Sequence, residues 1–282
     1  MKRLLRNALS EVSYRAIRLS GATHGGLRVL MYHRVSDQHA GDRMCVPVAR
    51  FADQMRYLKE AGYRSVSLAQ AIDWLHGGPA LPERSIAITF DDGYADNFLR
   101  AVPAMAQHGF TGAFFIPTGF TEGKKRPATD HADDQPMTWA QLRELLGSGH
   151  EIGAHSITHR KLTLISPVEL LQEVRGSKEA LEQHLPVRID FFCYPAGAYN
   201  ADVKRAVQAA GYHGAVTVAP GANRPGTDPF ELLRTEVSAF DSMWDFEKKL
   251  AGAYDWMHTA VQSVTRLTKG KRQPSNAMCD GE

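Results

Sequence analysis

Short runs of apolar, β-favouring residues recur along the chain and alternate with stretches of helical periodicity, the sequence form of a parallel α/β architecture. The runs are Arg28 to Tyr32, Ser85 to Phe90, Ala113 to Pro117, His150 to Ala154, Ile189 to Tyr194, Ala215 to Val218 and Leu232 to Val237. The helices between them are well punctuated. Thr138 with Gln141 forms a capping box, and Ser166-Pro167-Val168-Glu169 forms another with proline at the first helical position. Asn200 is placed to cap a helix that Gly211 ends.

The pattern weakens toward both ends and in one internal stretch. In MKRLLRNALSEVSYRAIRLSG the residues Leu5, Leu9, Val12, Ala16 and Leu19 keep helical spacing, with Lys2, Arg3, Arg6 and Arg18 around them. Two readings follow: a helix packed on its own domain, or a basic amphipathic helix on an anionic membrane surface. Arg6, Asn7, Glu11 and Arg15 interrupt any signal-peptide core or membrane span. The expected location is therefore the cytoplasm or the cytoplasmic membrane face, with export by an unrecognised route as the alternative. Residues 121–136, TEGKKRPATDHADDQP, read as a solvated surface insertion, with a substrate lid as the alternative. From Thr268 onward apolar periodicity is lost, which predicts a disordered tail. These boundaries divide the chain into an N-terminal helix (1–25), one folded domain (26–265) and a tail (266–282).

Composition narrows the function classes. An α/β barrel commonly uses about 200 to 250 residues as one unit, and 282 residues accommodate one. The net charge of +2 gives no support for nucleic acid as a partner. Cys45, Cys193 and Cys279 are odd in number and lack CxxC spacing, which argues against a disulfide framework or a thiolate zinc site. No feature specifies an oligomeric state.

Four clusters carry the chemistry, and each follows an apolar run, where an α/β barrel presents its active-site loops. In SIAITFDDGYADN, Asp91 and Asp92 end a strand. Alone, Asp-Asp-Gly is also an ordinary turn. In GHEIGAHSITHRKLT, His155 and His159 are four apart, a spacing that reaches one metal from a single helical turn. Two imidazoles and one carboxylate satisfy a borderline cation such as zinc, whereas exposed histidines on a helix are the alternative. FFCYPAGAYN places a proline and a glycine at a strand exit, able to aim a backbone N–H at a developing oxyanion or simply to turn the chain. In LRVLMYHRVS, His33 ends a strand near the N-terminus.

The order and wording of TFDDGY, HSITH and YPAGAY resemble the first three motifs of the polysaccharide deacetylases, the NodB-homology or carbohydrate esterase family 4 proteins. The resemblance runs from about His33 to Val237. VLMYHRV resembles the branch of biofilm poly-N-acetylglucosamine deacetylases, whose motif order is circularly shifted. It implies an irregular or incomplete (β/α) barrel of about seven parallel strands, the NodB-type barrel. It makes Asp91 the general base and Asp92, His155 and His159 the ligands of a divalent metal, zinc first, cobalt or nickel otherwise. It makes His33, as an imidazolium, the general acid, with His258 in DWMHT as the fallback. The backbone N–H of Ala196 donates to the oxyanion, and Tyr94 and Tyr199 shape the substrate groove. Two departures stand out. Cys193 occupies the place of the arginine that usually holds the catalytic aspartate, and Arg234 in FELLRTEV is the substitute, with a surface salt bridge as its alternative role. The usual DxxDW element is absent.

The expected activity is metal-dependent removal of N-acetyl groups from the amino sugars of a polysaccharide or glycan intermediate, releasing acetate. A deformylase or deacetylase of a lipid-linked sugar at the membrane face is the nearer rival. A carbohydrate-binding protein without turnover is the more distant one.

Overall fold

A computed structural model of the chain describes residues 9–16, 26–123 and 131–255. Its strands are β1 (Arg28–Tyr32), β2 (Arg34–Val35), β3 (Cys45–Val46), β4 (Arg64–Ser65), β5 (Ser85–Phe90), β6 (Ala113–Ile116), β7 (Glu151–Ala154), β8 (Phe191–Cys193), β9 (Gly214–Val216) and β10 (Thr235–Glu236). Seven of them, in the order β10-β1-β5-β6-β7-β8-β9, run parallel and curl into a half-barrel. β4 pairs with the start of β5, the stretch that β6 leaves open. The two edges meet at a single segment: Leu232 bridges Val216, and Thr235 pairs with Leu30 of β1.

The predicted strands stand where the apolar runs are, shortened by one to four residues toward the C-terminal half. β2, β3 and β4 are two residues each, too short to leave a periodic trace. Because parallel strands are covered on both faces, the side chains of the central strands are buried at nearly every position and read as apolar runs. The two faces are nevertheless distinct. Leu30, Tyr32, Ile88, Phe90, Phe114 and Ile152 pack outward against helices Val48–Glu60, Trp139–Gly147 and Pro167–His184. Val29, Ala87, Phe115, Phe191 and Cys193 point inward and meet Leu68, Ala71, Ile72 and Leu75 of helix Leu68–Leu75. That helix plugs the barrel at its N-terminal end, where Glu151 at the start of β7 accepts from the Leu68 and Ala69 N–H groups at 2.6 and 3.1 Å.

Capping fixes where the helices begin. Thr138 with Gln141 and Ser166 with Glu169 form complete boxes, and the Asn200 side chain accepts from the Val203 N–H. Gly211 follows the end of that last helix at φ +80°, the left-handed stop that glycine adopts freely.

Two expectations are corrected. The insertion is not solvated throughout: Asp133 and Asp134 are buried, because a short 3₁₀ turn, Ala132–Asp134, folds back on the body, where Arg34 binds the Asp134 carboxylate and the Asp133 carbonyl. Residues 9–16 are helical, but the face they bury is Ser10 and Tyr14, not the aliphatic stripe. Tyr14 meets Trp244 edge to face, and the Glu11 carboxylate accepts from the Trp244 indole N–H at 3.0 Å. Leu9 and Val12 are left exposed. The rest of the predicted N-terminal helix, the predicted tail and His258 lie outside the described residues.

The stacked pair Phe90 and Phe114, centroids 4.8 Å apart and both fully buried, ties the two central strands to the helices outside. Phe114→Ala is expected to cost about 3–5 kcal/mol, read from urea unfolding, and a loss below about 1 kcal/mol would mean the pair is not part of the core.

Candidate active site

Period two along each strand decides which residues reach the interior at the carboxyl rim. On β5 the inward series is Ala87, Thr89, Asp91; on β1 it is Val29, Met31, His33. Parallel pairing of Tyr32 with Phe90 then sets His33 beside Asp91. Ala154 pairs with Phe192, so His155 and Cys193 leave adjacent strands side by side. Four residues from four strand ends thereby converge on one point.

Asp91 is at the centre of that point. The Arg234 guanidinium grips its carboxylate with both arms, Nη1 to Oδ1 at 2.7 Å and Nη2 to Oδ2 at 2.8 Å. Arg234 itself is fully buried, which overturns the surface salt bridge as its alternative role. Its remaining donors are satisfied by the Thr217 carbonyl at 2.7 Å and Thr89 Oγ1 at 3.1 Å. The Cys193 sulfur fills the corner, 3.4 Å from Asp91 Oδ2 and 3.3 Å from Arg234 Nη2. Burial pushes the Asp91 carboxyl up, but Arg234 outweighs it and holds the group below its ordinary value. Burial likewise raises the Cys193 thiol, so it stays protonated.

His33 Nε2 is 3.9 Å from Asp91 Oδ2, too far for a hydrogen bond but close enough to share its field. Burial lowers the His33 ring, and Asp91 and Asp92 restore only part of the loss.

Asp92, His155 and His159 form the second cluster. Strand alternation alone would turn Asp92 outward, but its φ of +72° turns the chain at the rim. Gly93 follows at φ +65°, where an added Cβ would press on Ile116 Cδ1 at 3.3 Å. His155 and His159 do not share a helical turn, as the spacing suggested; they sit on a loop that curls through Ser156 (φ +62°) and His159 (φ +58°). With Ala196 at φ +53°, four of the five described non-glycine residues in the left-handed region are at this rim. Such residues cost about 1–2 kcal/mol each, and they persist where surrounding contacts hold them.

Asp92 Oδ1 lies 3.4 Å from His155 Nε2 and 3.2 Å from His159 Nε2. It is buried and has no hydrogen-bond partner in acceptable geometry. His155 Nδ1 donates to the Cys193 carbonyl at 2.8 Å, which fixes the tautomer and leaves Nε2 with its lone pair toward Asp92. Three electron-pair donors thus face one another within 4.8 Å. Burial opposes a charged His155 ring, yet Cys193 and Asp92 raise its affinity for a proton well above the ordinary value. The cluster asks for positive charge at its middle, and this donor set suits a divalent cation.

The other predicted residues lie around this centre. Ala196 is in the turn after β8, where Gly197 and Ala198 use their N–H groups on the Tyr194 and Pro195 carbonyls, leaving the Ala196 N–H outside the turn's own bonds. Tyr94 is half-buried beneath the Arg34 guanidinium, 4.3 Å from its ring centre. Tyr199 stacks on Tyr194, an outward residue, and no described contact joins it to the Asp and His cluster. The sequence reading missed Thr89, Thr217 and Arg34. Thr89 was findable, being two residues before Asp91 on the same face; the other two reach the site only through the barrel's closure and the insertion's fold-back.

Residues 78–215 match the family model described as polysaccharide deacetylase. A putative polysaccharide deacetylase of Bacillus subtilis (strain 168) is 30% identical over 212 residues, 75% of this chain and 71% of the relative. The poly-beta-1,6-N-acetyl-D-glucosamine N-deacetylase of Escherichia coli (strain K12) is 33% identical over 132 residues, 44% of this chain and 20% of that protein. Among solved structures, a Streptococcus pyogenes deacetylase in complex with acetate superposes with a TM-score of 0.73 at 22% identity, over 80% of this chain and 98% of that one. IcaB from Ammonifex degensii does so with a TM-score of 0.70 at 24% identity, over 82% and 98%. At these identities the structural likeness is one of fold.

The Asp91–Arg234 pair carries its own prediction. Arg234→Met leaves a buried carboxylate unpaired and is expected to cost about 3–5 kcal/mol at pH 7, with Asp91→Asn added to Arg234→Met regaining part of it. Because the folded Asp91 carboxyl is held below its ordinary value of about 4, the pair's contribution is present above that pH and fades as pH falls. The gap between wild type and Arg234→Met in urea midpoint should therefore narrow as pH falls, beginning above about pH 4 because the variant's unpaired buried carboxyl protonates first, and a gap independent of pH would contradict the pairing.

Proposed function

The chain belongs to the polysaccharide deacetylase family, and from that membership we propose that it is a metal-dependent hydrolase that removes N-acetyl groups from the amino sugars of a polysaccharide or glycan intermediate, releasing acetate. The observation that carries this reading is the buried, unpartnered Asp92 Oδ1 facing two imidazole Nε2 atoms, with the ionised Asp91 on the adjoining residue. A divalent cation held by Asp92, His155 and His159, zinc by its donor set with cobalt or nickel as alternatives, supplies Lewis acidity toward a water and an acetyl carbonyl.

The chain's own groups then divide the proton work. Asp91 accepts the proton of the attacking water, and Arg234 keeps its carboxylate ionised and oriented for that step. The Ala196 N–H donates to the carbonyl oxygen as negative charge develops there, a contribution commonly worth about 10²- to 10³-fold per donor. His33, beside Asp91, gives its imidazolium proton to the departing amine. Water and the N-acetyl group become acetate and a free amino sugar, with the proton balance closed between Asp91 and His33. Tyr94 lines the approach, and Tyr199 lies farther out.

A second reading keeps the chemistry and changes the substrate to an N-acyl sugar on a lipid at a membrane face. What favours it is the outward aliphatic pair Leu9 and Val12 on a helix anchored by Ser10 and Tyr14, in a sequence context rich in Lys and Arg. No helix among the described residues is long and apolar enough to cross a membrane.

Acetate and formate released by the metal-loaded protein should be assayed separately on N-acetylglucosamine oligomers and on a formamido-sugar lipid in anionic vesicles. Acetate from the oligomers supports the proposed activity. Formate alone moves the assignment to the lipid-linked sugar, and neither acid despite bound metal leaves a carbohydrate-binding protein. Asp92→Ala should lose bound metal and activity together. Asp91→Asn should keep the metal and lose at least about 10²-fold in kcat, and near-normal turnover would remove Asp91 from the base role. His33→Ala should lower kcat with metal content unchanged.

A further inference from the structure

Arg34 follows His33 directly and is buried, yet nothing in the proton work above uses it. Its guanidinium reaches three segments at once. Nε donates to Asp96 Oδ2 at 2.8 Å, while the Val35 N–H donates to Asp96 Oδ1 at 3.1 Å, so the fully buried Asp96 is bound by both residues of β2. Nη2 donates to the Asp133 carbonyl at 3.0 Å and to Asp134 Oδ1. The cation also sits over the Tyr94 ring, its Cζ 4.3 Å from the ring centre.

The segment that Asp133 and Asp134 anchor runs on as a rail beside the Asp91–Tyr94 turn. The Ala95 N–H donates to the Gln135 carbonyl at 2.7 Å, the Met137 N–H donates to the Gly93 carbonyl at 2.9 Å, and Tyr94 faces Pro136 between them. Ser36 Oγ donates to Asp133 Oδ2 at 2.6 Å, Arg100 pairs with Asp133 Oδ1 at 3.2 Å and His39 Nε2 meets Asp134 Oδ1, so the anchor is held from three further sides. One cation thereby joins the strand end bearing His33, the turn bearing Asp91 and Asp92, and residues 131–137.

We infer that Arg34 is a positioning residue for glycan binding: through Asp96, Asp133 and Asp134 it seats residues 131–137 against Gly93–Ala95 and fixes Tyr94 as an aromatic wall of the groove, one ring face under the guanidinium and the other offered to a sugar. The inference rests on the glycan-hydrolase reading for its substrate, and on the contacts of Arg34 alone for its geometry. Lysine cannot replace it, because a point ammonium lacks the fork that spans Asp96 and Asp134.

Two measurements on the full-length, metal-loaded protein separate these levels. Native-state hydrogen exchange should show the Ala95 and Met137 amides losing at least about 10-fold in protection in Arg34→Lys and Asp134→Asn, with the β5 and β6 amides unchanged. Unchanged protection of Ala95 and Met137, or a uniform loss across the barrel, would overturn the positioning role. On N-acetylglucosamine oligomers both variants should raise KM about 10-fold with kcat within about 3-fold and bound metal unaltered. A fall in kcat alone would place Arg34 with the proton-transfer groups instead. If the wild type hydrolyses no oligomer, the deacetylase reading fails, while the exchange data still decide whether Arg34 seats the segment.

Discussion

A carboxylate and a guanidinium locked together in the barrel's interior constrain most of what surrounds them. Two buried charges are tolerated only when their geometry is close and their remaining hydrogen-bonding capacity is met, and here Thr89, Thr217 and the Cys193 sulfur meet it. Those partners come from β5, from the exit of β9 and from β8, while Arg234 arrives on the segment that links β9 to β1. The ion pair thus specifies how the sheet's two edges come together, and the same closure orders the candidate base. Fold and chemistry meet in one contact.

The exchange at position 193 follows from this geometry. With a cysteine where the family motif resembled by YPAGAY has arginine, a cation has to enter from elsewhere, and the β10 segment delivers it from the opposite edge of the barrel. The sulfur then serves as filler with a weak polar character, close to both partners and carrying no charge.

The strands and helix caps were legible because they rest on local rules: unbroken apolar runs for β1, β5, β6 and β7, and Ser or Thr followed three residues on by Glu or Gln for the caps. The carboxylates and histidines were legible because all of them follow such runs. What could not be read were features decided at long range. Asp133 and Asp134 look like solvent-loving residues until Arg34, about a hundred positions away, is folded onto them. Tyr14 and Ser10 outcompete an aliphatic stripe because Trp244 and Lys248 offer edge-to-face and polar contacts on that side. The curl of His155 to His159 depends on left-handed residues at Ser156 and His159, for which neither residue type is a signal.

The thin seam between the barrel's edges also has a consequence in time. During synthesis β1 and β5 leave the ribosome early and can pair, but their neighbour β10 lies some two hundred residues downstream of Leu30. Until it emerges, Asp91 has no counter-ion and one flank of β1 is bare, an edge available to any other strand. The future reaction centre therefore stays incomplete until the segment around Arg234 has been made. Arg234, arriving long after the strands it joins, turns a set of correctly ordered strands into a site that can hold its charges.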